Sequence, residues 1–272
     1  MNELMNSKLF LSISLVVGIL LANSCGGSPK NPVQNPTQNP TPSSTSVETP
    51  SGETGRGVML TADATNRELE YFYYIPTSVA TSKKYQILLC VPGLNGSGAV
   101  FIQREWMEFA NKNGLVIVSP SFRFNQKDWE NKRSYQFPEV WSGNAIMKIV
   151  DEVNRKIGSK DRGLYLFGHS AGAQVAHRFA LFKPERCVAV AAHAPGGCTH
   201  PSRYIPVRFL MTVGEDDHDR RWKTKEFSQR CQELGISIVY KEYPGVGHGL
   251  TREQLELSKG FFEEIISKRL NR

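Results

Sequence analysis

A single stretch limits what this chain can fold into. Leu164-Tyr165-Leu166-Phe167 is a short apolar run that passes into Gly168-His169-Ser170-Ala171-Gly172 and on, without a linker, into Ala173-Gln174-Val175-Ala176-His177-Arg178-Phe179-Ala180. Physically this is a buried strand, a turn tight enough that small residues must flank its centre, and a helix that starts at once. Gly-x-Ser-x-Gly in that setting is the nucleophile elbow. It lifts the serine oxygen clear of the sheet and aims the N–H of Ala171 at an oxyanion. Without chemistry the same stretch would be a small-residue turn packing a helix on a sheet. What Ser170 means therefore depends on whether the chain supplies a base, an acid and a second donor.

The surrounding pattern alternates strand and helix. Gly57–Ala64 and Glu68–Ile75 read as a hairpin closed by Thr65-Asn66-Arg67. Tyr85–Val91 and Leu115–Ser119 are continuous apolar runs, as in strands buried on both faces, and Pro120 closes the second. Between them, Pro92-Gly93-Leu94-Asn95-Gly96-Ser97-Gly98 leaves main-chain N–H groups open to close approach, and Ala99–Asn113 is an amphipathic helix stopped by Gly114. A polar and aromatic connection without periodicity, holding Trp129, Tyr135 and Phe137, continues through Trp141. Connections this long often carry function, and it could wall a substrate site or simply be fastened to the body by its aromatics. Helices follow at 144–157, after the elbow, at 222–234 and at 252–269, with strands at 187–192, 207–213 and 236–243. The class is α/β: a mainly parallel central sheet with helices on both faces, whose ligands sit at the carboxyl ends of the strands.

The first 53 residues have a different composition. Lys8 precedes an uncharged apolar run, Leu9–Leu21, too short for a mature membrane span, and Ala22-Asn23-Ser24-Cys25 follows. This resembles the lipobox of bacterial lipoproteins, with Ala22 where Leu is usual. The resemblance implies a signal over 1–24 and lipidation of Cys25; simple cleavage near Ala22–Ser24 is the alternative. Residues 25–53, rich in Pro, Asn, Thr and Gln, have nothing to bury and read as a disordered tether, leaving 54–272 as the catalytic domain. The expected location is the bacterial cell envelope, anchored to a membrane by lipid, or secreted if Cys25 is unmodified. The formal charge of +7 comes from scattered Lys and Arg, not from a basic run with aromatics, which speaks against a nucleic-acid partner. Cys90, Cys187, Cys198 and Cys231 match no zinc spacing; Cys90 reads as a buried thiol, and a Cys198–Cys231 bridge stays open.

An acyl-transfer serine needs a base within hydrogen-bond reach, a carboxylate to orient that base, and preorganised donors for the oxyanion. His248, in the glycine-rich loop Pro244–Gly249 after the last strand, is the candidate base. His169 adjoins the nucleophile and is expected to point away from it; it, His177, His193, His200 and His218 read as structural or solvated, though His193 could line the site. The acid must lie between Ser170 and His248. Asp217, three residues after Gly214, is the leading candidate, with Asp216, Asp219 and Glu215 beside it.

The order Ser, Asp, His, together with Val91-Pro92-Gly93-Leu94, Gly168–Gly172, Thr212–Asp217 and Gly245–Gly249, resembles the α/β-hydrolase superfamily. From about Arg67 onward the chain is similar to its polyhydroxybutyrate-depolymerase-like and feruloyl-esterase-like bacterial lipoproteins. The resemblance implies Ser170 as nucleophile, His248 as base, Asp217 as orienting acid, and the N–H groups of Leu94 and Ala171 as the oxyanion hole. It departs at Pro92-Gly93, where the family usually has His-Gly. The N–H of Leu94 survives that change, but the histidine that often braces the loop does not.

The expected activity is that of a serine esterase acting through an acyl-enzyme, without metal or cofactor. Its substrate would be a small-molecule or polysaccharide-linked ester, since an alcohol leaving group needs little assistance. The alternatives are a polyester depolymerase or serine peptidase on the same fold, or a catalytically silent surface-binding lipoprotein.

Overall fold

A strand whose every side chain is apolar must be covered on both faces, and the apolar runs of this chain are placed accordingly. The computed structural model describes residues 50–61 and 67–270, apart from the side chain of Leu270. The signal-like segment, Cys25 and the tether up to residue 49 lie outside the described residues. Residues 47–272 form one compact unit.

Its elements are β1 (Gly52–Leu60), β2 (Glu68–Pro76), α1 (Thr77–Ser82), β3 (Gln86–Val91), α2 (Arg104–Asn113), β4 (Leu115–Ser121), α3 (Gln126–Glu130), α4 (Ser142–Ile157), β5 (Leu164–His169), α5 (Ala171–Phe182), β6 (Cys187–His193), β7 (Arg208–Gly214), α6 (His218–Glu233), β8 (Ile238–Tyr243) and α7 (Arg252–Leu270). The eight strands form one sheet in the order β1-β2-β4-β3-β5-β6-β7-β8. Strands β3 to β8 are parallel, β2 runs antiparallel to β4, and β1 antiparallel to β2. This is the α/β-hydrolase fold.

The period of two along the strands sorts their side chains into two core layers. Ile87, Leu89, Leu164 and Leu166 face a layer shared with Ile149 and Val153 of α4, Phe179 of α5 and Phe227 of α6. Leu88, Cys90, Tyr165 and Phe167 face the other way, against Trp106 and Phe109 of α2 and Phe262 of α7. Among the described residues no helix is long and apolar enough to cross a membrane.

Four local expectations are corrected. The first strand begins at Gly52, paired with Pro76, so the chain is in the sheet before the tether boundary at residue 53. The single helix 99–113 is instead a 3-10 turn, Gly98–Phe101, and then α2, because Gln103 is extended at φ −118°, ψ 160°. Pro120 does not close β4: it pairs with Tyr71 of β2, past Val118, the last β4 residue paired with β3. The connection after β4 is not structureless, because Asn125 caps α3 by accepting from the N–H of Asp128.

The aromatics of that connection fasten it to the body. Tyr135 is buried in the core and stacks on Phe122 with centroids 4.9 Å apart, and Phe137, stacked on Trp129 at 5.4 Å, lies 4.7 Å from the Arg178 guanidinium of α5. The guanidinium of Arg178, inside the domain, donates to Gln136 O at 2.8 Å and to Thr199 Oγ1 at 3.0 Å, tying the loops after β4 and β6 to α5.

Candidate active site

The carboxyl ends of β3, β5, β7 and β8 bring the loops around Leu94, Ser170, Asp217 and His248 to one end of the sheet. Ser170 stands between β5 and α5 at φ 56°, ψ −118°, a left-handed conformation that a residue with a Cβ rarely adopts. Two contacts hold it there. Its N–H donates to His193 O at 2.9 Å, and its carbonyl accepts from Gln174 N at 3.1 Å. The helix then packs directly under β3: a Cβ on Gly172 would lie 2.0 Å from Val91 O. Only glycine permits that approach, which sets the start of α5 against the loop carrying Leu94.

His248 joins the serine to an acid. Its Nε2 is 3.0 Å from Ser170 Oγ and its Nδ1 is 2.7 Å from Asp217 Oδ2. With Nδ1–H donated to the carboxylate, Nε2 is left as an acceptor facing the serine hydroxyl. Asp217 is buried, and its other oxygen accepts from Arg220 Nη1 at 3.0 Å. It sits at the start of α6 yet makes no side-chain cap there, so its carboxylate serves His248 and Arg220. Asp216 is exposed, and Asp219 pairs with Lys223. A Cβ on Gly214 would lie 1.9 Å from Val246 O, so the loops bearing the acid and the histidine meet backbone to backbone.

The N–H groups of Leu94 and Ala171 have no hydrogen-bond acceptor among the described residues. That of Ala171 belongs to the first turn of α5, whose dipole favours negative charge. In place of the absent histidine, Asn95 braces the loop. It is left-handed at φ 58°, its Oδ1 accepts from Phe124 N at 2.8 Å, and Gly96 N closes a turn on Gly93 O at 3.0 Å. A polar residue next to a glycine-rich loop was the available signal for Asn95, but its partner lies 29 positions away.

The remaining histidines separate clearly. His169 does not point away from the site: its ring stacks on that of His248, centroids 4.9 Å apart. Burial, then the neighbouring His248, lowers its pKa to about 4. His193 is fully buried and does not line the site. Gln254 Nε2 donates to Thr212 Oγ1, which bonds His193 Nδ1 at 2.6 Å; His193 Nε2 bonds Ser258 Oγ at 2.8 Å, and Ser258 donates to Gln254 O. This closed circuit holds His193 neutral, with a pKa lowered by burial to about 3, and fixes the carbonyl that takes the Ser170 N–H. His177 is likewise buried, between Ala173 O and Thr199 N.

Cys90, Cys187, Cys198 and Cys231 are free thiols, and burial pushes the last two up to about 12, so they are not ready nucleophiles. Among the described residues no three His, Cys, Asp or Glu side chains gather as a metal site would require.

A mainly parallel sheet in this strand order, with a strained serine between strand and helix, defines an α/β-hydrolase. The family model named Esterase matches residues 62–235, more than half of the chain, and the chain belongs to that family: it is a serine carboxylic ester hydrolase. The matched segment includes Ser170 and Asp217 and stops before His248. A search of curated proteins returned no match.

Solved structures similar in fold include an S-formylglutathione hydrolase from Agrobacterium tumefaciens, 17% identical over 80% of this chain and 96% of that one, with a TM-score of 0.60. A poly(3-hydroxybutyrate) depolymerase from Bordetella parapertussis is 19% identical over 77% and 91%, TM-score 0.57. A CE1 ferulic acid esterase from Anaeromyces mucronatus, solved with ferulic acid, is 14% identical over 79% and 90%, TM-score 0.57.

Proposed function

We infer that the protein hydrolyses carboxylic esters through a covalent acyl-enzyme on Ser170. The observation that carries this is the unbroken relay Ser170 Oγ, His248 and Asp217, at 3.0 Å and 2.7 Å. His248 Nε2 takes the hydroxyl proton as Ser170 Oγ attacks the ester carbonyl carbon. The carbonyl electron pair moves to the oxygen, which the N–H groups of Leu94 and Ala171 receive. Collapse of that intermediate breaks the bond to the alcohol, which leaves with the proton from His248. Water, deprotonated by the same imidazole, then attacks the acyl-serine and releases the acid. Asp217 fixes the tautomer and stabilises the transient imidazolium.

The substrate class is a small-molecule or polysaccharide-linked ester; the fold likeness to ferulic acid esterases supports it by analogy alone. The same reading puts the enzyme in the bacterial cell envelope, held by lipid on Cys25.

The test is labelling with a fluorophosphonate probe and turnover of nitrophenyl esters of rising chain length. Both are expected in the parent and absent in a folded Ser170→Ala variant. Folded parent protein that neither labels nor turns over any ester would leave a non-catalytic surface protein as the better reading.

A further inference from the structure

The end of the sheet opposite the candidate active site carries a second surface. Strands β3 to β8 are parallel, so their amino ends share one face. Four cations lie there: Lys84 ahead of β3, Arg162 ahead of β5, Arg208 at the start of β7, and Arg269 at the end of α7. Lys84, Arg162 and Arg269, with Lys112, line an open cleft of about 590 Å³ floored by Gln86 and Ile266.

Three carboxylates on this face are engaged, while Glu185, ahead of β6, is exposed. Glu263 is bonded to Lys112 at 2.8 Å, Glu264 to Lys268, and Asp161 to Arg186 at 2.7 Å. Among the described residues Lys84, Arg162 and Arg269 form no ion pair, and Arg208 shares the field of Glu264 with Lys268. At the opposite end the loop after β7 carries Glu215, Asp216, Asp217 and Asp219. Three of these are paired, Glu215 with Arg221, Asp217 with Arg220 and Asp219 with Lys223, so the contrast between the two ends rests on the bare cations of the amino-end cleft.

The topology adds an independent observation. Because β2 is antiparallel to β4 and β1 antiparallel to β2, Gly52, paired with Pro76, enters the sheet at this same amino end. The sequence that precedes it holds the apolar run Leu9–Leu21 and Cys25, 27 positions upstream of Gly52. Twenty-seven positions of chain can reach no more than about 95 Å, and a connection by one point does nothing by itself to orient a domain.

We propose that the amino-end face formed by Lys84, Arg162, Arg208 and Arg269 docks on anionic lipid headgroups and turns the Ser170 face outward. Basic side chains near such a surface gain affinity additively.

The test uses the chain from Val47, which holds the whole sheet and both core layers and carries no anchor. It is floated with vesicles of phosphatidylglycerol and phosphatidylcholine, and with phosphatidylcholine alone. Binding is expected only to the anionic vesicles, weakening as salt rises. It should fall by about 600-fold when Lys84, Arg162, Arg208 and Arg269 are all changed to Gln, given roughly fivefold per cation. Esterase activity on a soluble ester should be unchanged in that variant, which reports that it is folded.

Three outcomes would overturn the proposal. One is binding that the fourfold variant retains. Another is the absence of binding to anionic vesicles at low salt. The third is equally tight binding to soluble dextran sulfate, which would make a soluble polyanion the occupant.

Discussion

His169 lies nearly flat against His248, the two ring planes inclined by 26° and their centroids 4.9 Å apart. One comes from the strand that carries the nucleophile, the other from the loop after the last strand. Because burial lowers the His169 pKa to about 4, its ring is uncharged at neutral pH and supports the other without repelling an imidazolium. His169→Phe, which keeps a flat ring, should hold kcat within about threefold. His169→Ala should lower kcat by 10-fold or more with little change in KM, since small displacements of a reacting group cost up to about 100-fold. Equal kcat values for the two variants would show that the stack does not position His248.

The acid is chosen by burial. Asp217 is 5% exposed and bonded to His248, while Asp216 is exposed. Asp217→Asn should reduce kcat by roughly 1,000- to 10,000-fold, because the imidazole loses its tautomer control, and Asp216→Asn by less than about threefold. Steady-state rates on a nitrophenyl ester decide it. A large loss in Asp216→Asn would mean the loop rearranges on binding substrate.

Arg220 acts on the acid from the side away from the histidine. Its Nη1 bond at 3.0 Å satisfies Asp217 Oδ1, an oxygen of a buried side chain. Arg220→Gln should cost about 1–3 kcal/mol of stability through the orphaned carboxylate, and lower kcat about 10-fold. Thermal melts and kcat together check this. A variant with lowered melting temperature and parental kcat would reduce Arg220 to a structural role.

Three histidines make the fold acid-sensitive. The folded pKa is about 3 for His177 and His193 and about 4 for His169, each lowered chiefly by burial, against an ordinary value of 6.5. Between those limits the unfolded chain binds more protons, so their contribution is fully present above about pH 6.5 and is lost as pH falls toward 4. Each contributes a slope of about 1.4 kcal/mol per pH unit inside that window. Denaturant unfolding at pH 7, 6 and 5 should show the decline, and His177→Asn should shallow it by about one proton. A slope that ignores the substitution would mean His177 is protonated in the fold.

What could be read from the residues was local. The strand–Gly-His-Ser-Ala-Gly–helix run carries its own geometry, because a tight turn between an apolar run and an amphipathic one has few conformations. The glycines around His248 and Leu94 mark loops whatever they touch. The strands were legible for the same reason: an unbroken apolar run can only be buried on both faces. Boundaries failed where tertiary partners override local preference, as at Pro120, which β2 keeps in a strand, and at Gln103, where the helix breaks.

Choices between neighbours belonged to the tertiary structure. Asp216 and Asp217 are chemically alike, and the packing that buries Asp217 and leaves Asp216 exposed decides which carboxylate meets the imidazole. The stacking of His169, the brace from Asn95 to Phe124 and the circuit around His193 each join residues far apart in sequence. By itself the sequence determined an α/β sheet with a strained serine at one strand end. Which side chains surround that serine was decided by the packing of loops from separate strands, because hydrogen-bond distance is a property of positions in space.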